Sequence, residues 1–136
     1  LYLNIFRWNP SVIPLLFVNR HIRTTSSRHL YKVFPGEKIG GFILVSGFKT
    51  PLGTLSQLDD FTKASFSPVR IIKFTNNRVV IASHDDTIVP YKETDDLNRI
   101  LKAKLISVEK GGHFLVSDDF TELPTVYEEL QKWTRK

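Results

Sequence analysis

Along the second part of the chain, short apolar runs closed by glycine or polar turns alternate with stretches whose apolar residues recur every three or four positions. Phe42-Ile-Leu-Val45 is a continuous apolar run bounded by glycines, the pattern of a strand buried on both faces. Val79-Val-Ile81 follows the turn residues Asn76-Asn77 and ends in a polar loop, and Leu105-Ile-Ser-Val108 ends at Lys110-Gly111-Gly112. Between and after these strands the period changes. Pro90 suits a helix start, where its missing N–H costs nothing, and Leu97, Ile100 and Leu101 then form one stripe at i, i+3 and i+4. Val126, Leu130 and Trp133 repeat the pattern near the end of the chain. Strands alternating with such helices predict βαβ units and a parallel sheet. Residues 49–75 are less regular, with Thr54–Ala64 and Val69–Phe74 as short helices. A different regime precedes Phe34-Pro35-Gly36. There Pro14 limits Val12–Val18 to an edge strand or a strand start, and Thr24–Val33 reads as a weakly started helix. The chain therefore divides into an atypical segment, 1–35, and a regular one, 36–136.

The 136 residues allow one domain at most, and 41% hydrophobic, 12% aromatic and 24% charged residues are ordinary for a globular protein. Collagen-like, coiled-coil and disordered classes are excluded. With no cysteine there is neither a disulfide framework nor a thiolate metal site. With no methionine, the chain is expected to be a processed product, a partial reading frame or a fragment. The net charge of +5 sits wholly in residues 1–35, which hold Arg7, Arg20, Arg23, Arg28 and Lys32 and no acid; the remaining residues balance. A solvated basic segment accounts for it, and no module points to nucleic acid. The Arg-, Ser- and Thr-rich, acid-free segment also has mitochondrial transit composition, set against a default expectation of the cytoplasm. No apolar run is long enough to span a membrane.

Ligands of open parallel sheets bind beyond the carboxyl ends of the strands. Ala82-Ser83-His84-Asp85-Asp86-Thr87-Ile88-Val89-Pro90 follows one such end, and Glu109-Lys110-Gly111-Gly112-His113-Phe114 follows the next. Acid first and histidine last is the chain order of the second and third members of an α/β-hydrolase triad. A carboxylate accepting the ring N–H holds a neutral histidine in one tautomer and stabilises the imidazolium formed when a nucleophile gives up its proton. Gly111-Gly112 lets the backbone turn sharply so that His113 can reach back over the sheet. The residues alone leave Asp85 and Asp86 both open as the acid.

Gly40-Gly-Phe-Ile-Leu-Val-Ser-Gly47, Ser83-His-Asp-Asp-Thr-Ile-Val-Pro90 and Gly112-His-Phe114 together resemble the small α/β-hydrolase (serine hydrolase) family of retinoblastoma-binding protein 9 and YdeN. The likeness covers residues 36–136. It implies a three-layer α/β fold of which this chain is the C-terminal half, incomplete beside the roughly 200 residues such a domain uses. It places the triad acid on Asp86 and the base on His113, and it implies an esterase or acyl-hydrolase activity on a small ester or acyl substrate, with no metal or cofactor. The chain departs from the family where the nucleophile belongs. That residue should stand on a tight Gly-x-Ser-x-Gly turn upstream, yet Gly36 is the only glycine in residues 1–39. By position His21 falls near the serine's place, and Ser26 and Ser27 are the nearest hydroxyls. A disrupted reading frame before about Arg28 would explain the departure. The expectations are thus an impaired or inactive serine hydrolase or, as the alternative, a non-catalytic remnant that binds a protein partner or has no role. Residues 49–75 are expected to form a small cap over the site.

Overall fold

A computed structural model describes residues 41–58 and 67–134 of the chain. The segment 1–40, with the expected Val12–Val18 strand, the Thr24–Val33 helix, His21, Ser26 and Ser27, lies outside the described residues, as do 59–66 and 135–136.

Three parallel strands form a sheet in the order β1 (Phe42–Val45), β2 (Arg78–Ser83), β3 (Lys104–Val108). The register pairs Val45 with Ile81 and Ser83 with Val108, so the polar residues after each strand leave the sheet along one rim. Alternation sends Phe42, Leu44 and Val80 to one face and Ile43, Val45, Val79 and Ile81 to the other. Helix α1 (Pro68–Phe74) and helix α2 (Tyr91–Leu101) supply Ile71, Leu97 and Leu101 to the first face. Helix α3 (Pro124–Thr134) covers the second with Val126, Leu130 and Trp133. The result is the parallel sheet expected from the alternation, in the three-layer α/β arrangement that the resemblance implies.

The outer strand β3 differs from the other two in being only partly buried. In α2 the fully buried stripe is Thr94, Leu97 and Leu101, with Ile100 beside it. Periodicity counted the isoleucine because it is apolar; the helix instead turns the small threonine inward. Pro90 caps the helix from an extended conformation, as its fixed φ allows. Thr54–Ala64 was expected to be helical; its described part is a 3-10 helix, Gly53–Leu58. Two polar devices lock the layers. The Arg78 guanidinium donates to the carbonyls of Thr75 and Lys102, occupying backbone acceptors just after α1 and α2. Glu129 of α3, 4% exposed, accepts from Lys104 of β3 at 2.7 Å and from Lys132 at 2.6 Å. Trp133 packs so closely on Gly41 that a Cβ there would lie 2.4 Å from its ring.

Candidate active site

The loop after β2 presents Asp86, 8% exposed, with every acceptor position of its carboxylate engaged. Oδ1 accepts the backbone N–H groups of Ile88 at 2.9 Å and Val89 at 2.8 Å, so the side chain caps its own loop. Oδ2 accepts the Ser46 hydroxyl at 2.8 Å and faces Nδ1 of His113 at 2.9 Å. A buried carboxylate persists only when its partners replace the lost water. Burial pushes the Asp86 carboxyl up, but the hydrogen bonds from His113, Val89, Ser46 and Ile88 outweigh it and hold it below the ordinary value of 3.8. The carboxylate is thus ionised at neutral pH and accepts, so the His113 Nδ1–H donates. In the neutral ring this puts the lone pair on Nε2, the nitrogen able to take a proton.

His113, 5% exposed, rides on a loop pinned from two sides. Upstream, the Gly111 N–H is shared between Ser83 Oγ at 2.8 Å and Asp85 Oδ1 at 2.9 Å, and the Gly112 N–H donates to the same Asp85 oxygen at 2.8 Å. Ser83 completes the clamp by donating to that oxygen at 2.6 Å. Downstream, Asp118 Oδ2 accepts the N–H groups of His113 at 2.9 Å and Leu115 at 3.1 Å. Gly112 turns the chain with φ +51°, and a Cβ on it would lie 2.5 Å from the Asp118 carboxylate carbon. Phe114 also takes a positive φ, which drops its ring into the core against Phe120, with centroids 5.2 Å apart.

The two aspartates left open by the sequence therefore have separate tasks. Asp86 meets the imidazole, and Asp85 ties the β2 loop to the histidine loop. Donation by Ser83 and by the Gly111 and Gly112 amides lowers the Asp85 carboxyl to about 2. A carboxyl depressed in the folded state contributes stability above its ordinary value of 3.8, and loses it as pH falls toward 2. Acidification through that window is expected to shift the Gly111 and Gly112 amide proton resonances together, and Asp85→Asn to remove the transition. Amide resonances that stay flat in the native chain would contradict the clamp.

His84 stands outside this arrangement. It is exposed, stacks on Tyr91 with centroids 3.9 Å apart, and turns Nε2 toward Glu109 at 3.8 Å. Of the segment expected to cap the site, 59–66 lies outside the described residues and Ile71 of α1 packs on the sheet. Phe48 and Leu52 pack with Val89 and Ile88, and Thr54 Oγ1 donates to the Ile88 carbonyl at 2.6 Å, so this segment braces the acid loop. Among the described residues there is no group of three or more His, Asp or Glu side chains able to hold a metal ion, and no helix long and apolar enough to cross a membrane.

Sequence reasoning passed over Ser46, Ser83 and Asp118. Ser46 directly follows the carboxyl end of β1, as the Asp86 and His113 loops follow those of β2 and β3, so the same strand-end signal marks it. Asp118 had no signal, since it belongs to one of several Asp-Asp pairs in exposed-looking segments.

A serine hydrolase family model matches residues 21–132. The chain belongs to the serine hydrolase family. This serine hydrolase family member is 47% identical over 100 residues to YdeN of Bacillus subtilis (strain 168), an alignment covering 74% of the chain and 53% of the relative. The crystal structure of the ydeN gene product from B. subtilis superposes with a TM-score of 0.80 at 41% identity, covering 90% of this chain and 65% of that one. The chain thus spans about half the length of the curated relative it matches. The fold expected from the resemblance, an α/β-hydrolase-type parallel sheet, is the fold that this likeness supports.

Proposed function

We propose that this chain carries the acid–base half of a serine esterase or acyl-hydrolase site, with Asp86 as the acid and His113 as the base. The observation that supports the reading is the buried 2.9 Å contact between Asp86 Oδ2 and His113 Nδ1 at the carboxyl ends of β2 and β3. With Nδ1–H committed to the carboxylate, Nε2 is the atom that would accept the proton of an attacking hydroxyl and return it to the leaving group of a small ester or acyl substrate. Asp86 would stabilise the imidazolium in between without taking the proton itself.

The same reading holds the chain impaired on its own. No Gly-x-Ser-x-Gly occurs anywhere in the 136 residues; the only glycines spaced for it, Gly36 and Gly40, enclose Lys38. An acid and a base without an elbow serine have no activated nucleophile to form an acyl-enzyme. A fluorophosphonate probe on the purified chain is expected to give no serine labelling above that of the His113→Ala variant. Labelling of one serine that Asp86→Asn and His113→Ala both abolish would overturn the impaired reading. The acid–base pair itself has a separate readout: a strongly deshielded ring N–H proton of His113, lost in both variants. A native spectrum without that proton would overturn the pairing.

A further inference from the structure

Ser46 has features that the hydrolase reading leaves unused. It directly follows β1, is 1% exposed, and holds φ +47°, a left-handed conformation that serine rarely adopts. Its N–H donates to the Ile81 carbonyl at 2.9 Å, which anchors the turn to the neighbouring strand. From that turn Oγ reaches across the rim to Asp86, forty residues away in sequence, and donates to Oδ2. That is the carboxylate oxygen facing His113 rather than the one capping the loop. A backbone kept in an unfavourable region must be held there by its surroundings, and such positions gather where a side chain has to be aimed.

We propose that Ser46 is a positioning residue of the acid–histidine pair, whose hydroxyl fixes the oxygen that Asp86 turns toward His113 and moderates the basicity of the imidazole. The inference rests on the Asp86–His113 pairing put forward above. With Oδ1 held by two backbone amides, the carboxylate has one oxygen left for the ring, and Ser46 shares it. Sharing has two effects. The second donor adds to the two amides that already keep the carboxylate on the line to Nδ1, and, as the larger effect with Oδ1 so held, it draws negative charge from the oxygen that stabilises the imidazolium. Without the hydroxyl, that oxygen is more basic and the protonated ring is favoured. Among the described residues, the Ile88 and Val89 amides also face this carboxylate; Asp85 and Asp118 act on the loop backbone, and His84 pairs with Glu109.

The test is an NMR titration of the full chain, with the His113 signals assigned by their loss in His113→Ala. Ser46→Ala removes the hydroxyl and keeps the unfavourable turn; Ser46→Gly removes the hydroxyl and relieves the turn. In both, the deshielded ring proton should persist at a changed shift, and the His113 midpoint should rise by about 0.5–1 pH unit. A midpoint that is unchanged or lower in the folded variants would overturn the proposal. So would a glycine variant that does not fold, since the hydroxyl would then serve the structure and not the pair. Failure of the underlying pairing looks different: native His113 would show no deshielded proton and would titrate the same in Asp86→Asn.

Discussion

Truncating Asp86 to alanine is expected to cost about 3–5 kcal/mol of unfolding free energy, the usual scale for removing one partner of a buried, hydrogen-bonded charge. Four donors converge on this carboxylate: the Ser46 hydroxyl, the His113 ring and the amides of Ile88 and Val89. Alanine leaves each facing a small cavity, and an unmet buried donor costs about 1–3 kcal/mol before relaxation. The contributions will not add in full, because the loop after β2 can open and let water in. Asparagine is the informative comparison. Its carbonyl oxygen can still take the two amides, but its NH2 group would then face Ser46 and His113. The ring would have to accept at Nδ1 and carry its proton on Nε2, the tautomer useless for general-base work. Urea unfolding monitored by Trp fluorescence gives the stability difference, and nitrogen chemical shifts of the ring report the tautomer. An alanine variant within about 1 kcal/mol of the native chain would mean that water already serves these donors.

Gly112→Ala is expected to cost about 2–4 kcal/mol and to detach the histidine loop. The backbone at Gly112 has φ +51°, where a side chain adds about 1–2 kcal/mol of steric cost. The added methyl would also lie 2.5 Å from the Asp118 carboxylate carbon and 2.7 Å from each of its oxygens. Asp118 must then move, and the His113 and Leu115 amides lose their acceptor. The same denaturation measurement applies, with the deshielded His113 proton as the local readout. Gly53→Ala is a suitable control, because a methyl added there would meet nothing within 4 Å and the backbone φ is not positive. Equal stability of the two alanine variants would show that the His loop is not built around Gly112.

The parallel sheet was legible in the chain because each strand is a local event. Phe42–Val45 and Val79–Ile81 are buried on both faces, and a strand with two buried faces must be apolar throughout. The helices showed themselves through a three-to-four residue period that packing against one face enforces. The loops carrying Asp86 and His113 were legible for a similar reason. Strand ends are where an open sheet leaves polar groups room to meet, and both residues lie within six positions of a strand end.

What the chain could not announce by itself was the division of labour at that rim. Asp85 and Asp86 are neighbours of the same type, and only the direction of each side chain separates the loop clamp from the group facing the ring. That direction is set by amides of Gly111, Gly112, Ile88 and Val89, none of which has a sequence signature as a donor. Ser46 and Asp118 join the site from forty residues upstream and thirty-two downstream of Asp86, so folding alone brings them to it. Local pattern determined which segments become strands, helices and rim loops. Tertiary contact decided which oxygen meets which nitrogen, because hydrogen bonds are short and directional while burial, which writes the pattern, is neither.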